Sequence, residues 1–497
     1  MRILFACVFL ALLNAVPAMA TWRMAESAHF QVYSTMSADM LRRRVELLED
    51  YRDMLGRFTT AKVADDAPKL KIYIVDDLDS AVPFGSIGGD AAGYYLATDT
   101  GIAAFGTKGD FGRKVLLHEY AHHHMYAATG QSYPAWYVEG FAEYFMTAEF
   151  SPARVDFGGY DENRASVLSL PWMDWNRLIA RTPGRLRGDD IYLFYSQSWL
   201  LTHYLFRAPG MNDKLRLYLH AVATGGDPLA AFKTHVLDDP RRLDSVLQAY
   251  IRKMTFSRLT RKPPVPAAVT ITDLPAAADD LIMFYAWLDN RGGQAKDPKA
   301  ALARVQAAAA RHPDDALARR TLAMAERHWG DKAKALTLLD GLLATSAEDA
   351  ELLRLKAETL LAMDSAANRA EARRLLVRAA KLDPRDWRTL HLHYHTDDIL
   401  HGPVNDNLFN VVEFTWTLAP QVSGIVIDYA TVLVRKNRMA EAARILEPAA
   451  FDPHDHGAFT RFAGALRDAA LTGDAAAYVK AYEAGPPKEE PVAEKPK

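Results

Sequence analysis

The segment Val115-Leu116-Leu117-His118-Glu119-Tyr120-Ala121-His122 sets two histidines four positions apart. On a helix such residues project from one face, so both imidazoles can meet one zinc ion, with Glu119 beside them to polarise a metal-bound water. Seventeen residues after His122 comes Glu139, inside Pro134-Ala135-Trp136-Tyr137-Val138-Glu139-Gly140-Phe141-Ala142-Glu143-Tyr144-Phe145. Pro134 suits the first turn of a new helix and Gly130 the end of the one before, so Glu139 falls on a second helix able to fold back against the first. Two His, one Glu and a water make an open catalytic zinc site. Glu143, one turn beyond Glu139, either orients a ligand histidine from behind or is a solvated or salt-bridged helix residue. His123 and His124 turn away from the metal by roughly 100° and 200° of helical rotation and read as packing or surface residues. The single cysteine, Cys7, leaves no thiolate zinc site or disulfide framework within a mature chain, so any metal must be held by His and carboxylates.

His118-Glu119-x-x-His122 followed by Trp136-x-x-Glu139-Gly140-Phe141-Ala142 resembles the gluzincin metallopeptidases, a peptidase MA-like group. The likeness is greatest to the catalytic core of aminopeptidase N-like enzymes and their small bacterial relatives. This resemblance implies one zinc on His118, His122 and Glu139, with Glu119 as general base. The run Tyr195-Ser196-Gln197-Ser198-Trp199-Leu200-Leu201-Thr202-His203-Tyr204-Leu205 is similar to the family's helix that begins with a transition-state tyrosine. It implies a hydroxyl donated by Tyr195 to the oxyanion; read from residue type alone, Tyr195 and Tyr192 are equally packing aromatics. Two departures matter. The sixteen residues between His122 and Glu139 are fewer than in better-known members, and no Gly-x-Met-Glu-Asn segment precedes the site to capture a substrate amino terminus. The expected activity is therefore that of an endopeptidase, with Ile102 to Phe105 as the sheet edge that pairs with an extended peptide.

The elements that must position these residues are of two kinds. From Thr21 to about Ser257 the periods mix: Phe30, Val32 and Ser34 alternate like a strand, Leu41, Val45, Leu48 and Leu55 recur at helical spacing, and Leu70 to Val75 is a further strand. Tyr94 to Phe105 forms a hairpin around Asp99-Thr100-Gly101, and Asp189-Asp190 starts a helix. Lys262-Pro263-Pro264-Val265-Pro266 cannot continue a helix and reads as a linker between two bodies. Beyond it, helical periodicity is broken at Pro313, Ala347, Pro384, Pro420 and Pro453, spaced 34, 37, 36 and 33. Small residues precede three of these breaks: Ala301 and Ala308, Ala335, and Ala372 and Ala379. Close-packed helix pairs ended by proline resemble tetratricopeptide repeats; an Ala-rich bundle without true repeats is the alternative. The expected fold is an α+β zincin-like metallopeptidase domain over 21–257, a linker over 258–278, an α-helical tetratricopeptide-like solenoid over 279–484 and a disordered tail over 485–497.

Residues 1–20 read as a secretory signal: Arg2, an apolar run from Ile3 to Val16, then Ala18-Met19-Ala20 before the cut. The run is too short for a membrane span, so the mature protein is expected to be secreted or periplasmic with no stable membrane insertion. Lys plus Arg number 59 against 62 Asp plus Glu, and this balance provides no field to gather nucleic acid. The expected partners are a peptide or protein substrate and a protein bound on the repeats. The competing reading is a repeat-based binding scaffold carrying a vestigial zincin domain.

Overall fold

A computed structural model describes residues 21–59, 63–85, 93–129, 133–184, 186–452 and 457–487. Residues 1–20, read above as a secretory signal, Gly130, Pro453 and the residues from 488 onward lie outside them. The chain opens with β1 (Arg23–Glu26), β2 (Phe30–Ser34), α1 (Ala38–Leu55), β3 (Leu70–Val75), β4 (Gly93–Ala97) and β5 (Ile102–Thr107). Next come α2 (Gly109–Thr129), α3 (Ala135–Phe145), β6 (Glu149–Ser151), β7 (Arg154–Phe157), α4 (Glu162–Val167), α5 (Trp175–Ile179) and α6 (Asp189–Arg207). The mixed α/β region ends with α7 (Met211–Ala223), α8 (Pro228–His235), α9 (Leu243–Ile251), β8 (Ser257–Thr260) and β9 (Thr270–Asp273).

Six strands form a mixed sheet in the order β4-β5-β3-β2-β1-β9, parallel at β2–β3 and β3–β5 and antiparallel elsewhere. Strand alternation sends Leu70, Ile72 and Ile74 to one face, where Leu41, Val45 and Leu48 of α1 and Leu116 and Tyr120 of α2 bury them. Tyr73 and Val75 point to the opposite face, where they join Phe105 in a second core. That face is covered by Leu281, Tyr285 and Trp287 of α10 (Ala277–Arg291).

Two expectations change here. The segment 258–278 is no plain tether: β8 completes the small sheet β6-β7-β8 and β9 pairs with β1, with irregular structure between them and just after β9. The prolines at 263, 264 and 266 stay in the stretch between β8 and β9, while the residues on either side of it, free of proline, each find an unpaired strand edge. Likewise Ile102 to Phe105 is not a sheet edge. The 99–101 turn returns the chain so that β5 lies between β4 and β3, and β4 is the exposed margin.

After α10 the chain is helical: α11 (Pro298–Ala309), α12 (Ala316–Trp329), α13 (Lys332–Leu343), α14 (Ala350–Leu361), α15 (Ala366–Leu382) and α16 (Trp387–Tyr394). It continues through α17 (Asp406–Leu418), α18 (Ser423–Arg435), α19 (Met439–Ala450), α20 (Ala458–Leu471) and α21 (Ala475–Ala484). Pro313, Ala347, Pro384 and Pro420 fall between successive helices, and Ala301, Ala308, Ala335, Ala372 and Ala379 are buried where helices meet. Asp297, Asp315, Asp331 and Asp349 each accept a hydrogen bond from the first turn of the helix they precede, supplying partners for N–H groups that lack intrahelical ones. Among the described residues no helix is long and apolar enough to cross a membrane.

The helical region does not hang free of the sheet. Trp387, Leu418, Val422 and Ile425 pack on Ala97 and Ile102 of the β4–β5 hairpin. Beside this contact Asp289 of α10 takes Lys71 Nζ of β3 at 2.7 Å and Arg388 Nη1 of α16 at 2.7 Å. Arg388 and Arg354 also meet Asp386. Burial opposes ionisation of Asp386, but the two guanidiniums and the Thr389 hydroxyl outweigh it and hold its carboxyl at about 2. Unfolded, that carboxyl titrates at about 3.9. Its stabilising contribution is therefore present above that value and lost as pH falls towards 2. Asp386→Asn should lower stability at pH 6 by about 2 kcal/mol, and calorimetry should show the gap to wild type closing between about pH 5 and pH 2. A gap of constant size over that range would rule the arginine pairing out as its source.

Candidate metal centre

The four-residue spacing on α2 brings His118 Nε2 and His122 Nε2 to 2.9 Å. Two neutral acceptors do not hold that distance without a proton or a cation between them. Glu139 arrives from α3, which is buried along its whole length, and its Oε2 stands 3.4 Å from His118 Nε2 and 3.6 Å from His122 Nε2. A tetrahedral zinc with bonds of about 2.0–2.1 Å sets its ligand atoms about 3.4 Å apart, so this triangle fits one ion. The buried His118, His122 and Glu139 group can hold a metal.

Behind the triangle, Glu143 is fully buried, with its Oε1 3.4 Å from His118 Nδ1, the ring nitrogen facing away from Glu139. Burial removes the solvated reading of Glu143 and leaves the salt-bridged one standing beside the histidine-orienting one. Its charge is held by Arg164 of α4, which donates from Nε at 2.7 Å and Nη2 at 2.5 Å. The same guanidinium lies 5.2 Å from the centroid of the Tyr195 ring. Arg164 is a residue that sequence reasoning missed: it sits on a short helix with no recognisable spacing to the histidines, and only the fold brings it here.

Tyr195 opens towards the site from α6, its ring 6.4 Å from that of His118. The charge of Glu139, burial, and the charges of Glu119 and Glu143 keep its hydroxyl well above the ordinary tyrosine range, so it stays a neutral donor. Tyr192 is instead exposed. Burial disfavours the charged form of His118, yet Glu139, Glu143 and Glu119 outweigh it and raise the ring to about 9. The carboxylates thus make a field that favours a cation. His123 and His124 are buried and face elsewhere, His123 Nδ1 to the Tyr95 hydroxyl at 3.1 Å and His124 Nε2 to the Thr59 hydroxyl at 3.0 Å. Burial and a neighbouring cationic group lower both, to about 3 and about 4.

His118, Glu119, His122 and Tyr195 line a cleft of about 560 Å³. One wall is the margin strand β4; the opposite wall is Pro420, Ser423, Val426, Pro448, Ala449 and Asp452 from the helical region. The position of that second wall had no signal in the sequence. Helices α3 and α6 meet so closely at Gly140 that a Cβ there would stand 2.1 Å from Thr202 Oγ1 and 2.4 Å from the Ser198 carbonyl oxygen. Gly140→Ala must therefore separate the helices that carry Glu139 and Tyr195. It should cost about 1–3 kcal/mol in a denaturant titration and weaken zinc binding, read by competition with a chromogenic chelator. Unchanged stability and affinity would mean that this helix contact does not set the site.

No protein-family model matches the chain, and no curated protein is significantly similar to it. Among solved structures, the helical region is similar to a Pseudomonas aeruginosa protein described as pilF, at 17% identity and a TM-score of 0.32, covering 41% of this chain and 88% of that one. It is also similar to TTC0263, a thermophilic TPR protein of Thermus thermophilus, again at 17% identity and a TM-score of 0.32, covering 40% of this chain and 100% of the other.

Proposed function

We propose that this chain is a zinc-dependent peptidase of the endopeptidase type, in which His118, His122 and Glu139 hold the metal. The observation that carries the proposal is the triangle of two imidazole nitrogens and one carboxylate oxygen, with Glu119 and Tyr195 lining the same cleft. A bound zinc supplies Lewis acidity towards a carbonyl oxygen and makes water easier to deprotonate. Glu119 takes the proton of the attacking water and returns it to the leaving amine. Tyr195, kept protonated by its carboxylate surroundings, donates its hydroxyl to the oxygen on which negative charge develops. Glu143, held by Arg164, fixes the ring of His118 from behind.

An extended substrate would lie along β4, whose outward side has no strand partner among the described residues, and exchange main-chain hydrogen bonds with it. The helical repeats suit protein binding, and here they also supply a wall of the cleft, which is why a scaffold with a vestigial site is the weaker reading. The signal-like segment supports action outside the cytoplasm.

Glu119→Gln should keep the metal content of the wild type while cleavage of a peptide library falls by about 10²–10⁴-fold. Full turnover in that variant would remove Glu119 from the mechanism. Tyr195→Phe should lower kcat by roughly 10²-fold with little change in KM, because its hydroxyl acts on developing charge. A rise in KM alone would make it a residue that only binds substrate.

A further inference from the structure

Several carboxylates at low exposure in this chain are balanced by arginine or lysine: Asp289 by Lys71 and Arg388, Asp386 by Arg354 and Arg388, Glu143 by Arg164. Asp428 on α18, like Glu139 of the first cluster, faces imidazoles instead. It is 3% exposed, and no lysine or arginine forms an ion pair with it among the described residues. Its neighbours are His395 Nε2 at 2.8 Å, His391 Nδ1 at 3.5 Å and the Tyr394 hydroxyl, which donates at 2.8 Å. A second carboxylate, Asp99 from the turn between β4 and β5, is near enough for its charge to act with that of Asp428 on His395. Asp428 thus faces imidazoles rather than guanidinium or ammonium groups, and the exposed Asp99 adds a second negative charge beside them.

His391 and His395 repeat the spacing of His118 and His122, four apart and leaving one face together, with ring centroids 4.5 Å apart against 4.6 Å in the first pair. The ligand atoms of His391, His395 and Asp428 all lie within 4.8 Å of one another. We propose that His391 Nδ1, His395 Nε2 and Asp428 Oδ2 form a second divalent-metal site, of the borderline class that imidazole and carboxylate select, with zinc as its natural occupant. Binding requires the Tyr394 hydroxyl to give up its 3.0 Å contact with His391 Nδ1, and the partly exposed His395 leaves a route from solvent. The site is structural. It joins α16 to α18 beside the hairpin turn, where the chain already seats Asp99 against Gly424, and so holds the margin strand β4 against the helical wall of the cleft. This inference stands apart from the peptidase reading.

The experiment is metal stoichiometry of the full-length protein, stripped with a chelator, reloaded with Zn²⁺, dialysed and measured by mass spectrometry. Wild type should hold two equivalents. His391→Ala/His395→Ala should hold one, His118→Ala/His122→Ala should hold one, and the two changes together none. Should the first pair of changes unfold the chain, Asp428→Asn keeps a side chain of the same shape and should weaken one equivalent by at least about tenfold in a competition titration. A wild type with one equivalent, lost in the His118/His122 variant and untouched by Asp428→Asn, overturns the proposal. Two equivalents that survive every change at 391, 395 and 428 overturn it as well. One equivalent lost only through changes at 391, 395 or 428 supports this site and removes the metal from the catalytic reading instead.

Discussion

A carboxylate in the middle of a wholly buried helix is expensive to ionise without a countercharge, and Glu139 is such a group. Its facing partners are imidazoles, whose charge or metal occupancy is variable, rather than a permanently charged guanidinium. Around it the chain has arranged everything else that the cleft requires. Helix α2 presents both histidines and Glu119 to one side, α6 closes on α3 through the missing side chain of Gly140, and Arg164 neutralises Glu143 behind His118. Loosening any of these contacts acts on the same triangle, since the ligand atoms are carried by two helices and steadied by two more.

The sheet imposes a second constraint. With α1 and α2 on one face and apolar Tyr73, Val75 and Phe105 on the other, a two-layer domain would leave a large apolar surface in water. The first helix of the α-helical region covers that surface, so the repeats are built onto the sheet rather than tethered to it. Further helices then return along the hairpin to the cleft, and the paired charges of Asp289, Lys71 and Arg388 fix the angle of that return. The helical region and the candidate site are in this way parts of one packed unit.

The local features of the chain were legible because they are written at short range. Period-two alternation marked β2 and β3, the turn at Asp99 marked the hairpin, and proline breaks with small residues at fixed offsets marked the helix pairs. His118 and His122 could be joined because a helix dictates which residues share a face. The residues flanking the proline run 262–266 were less legible for the opposite reason: proline and charge describe a segment that cannot be helix, and whether its neighbours find a strand partner depends on edges presented by β1, near the other end of the α/β region.

By itself, then, the sequence determined the candidate ligand types, the helices that carry them and the α/β-then-helical order of the chain, because these follow from side-chain chemistry and periodicity within a few turns. Only the tertiary structure decided which strand borders the cleft, that Arg164 stands behind Glu143 and beside Tyr195, and that helices from the far end of the chain wall the site. Those outcomes rest on long-range packing, where burial of the sheet's second face and pairing of isolated charges select among arrangements that local sequence leaves equal.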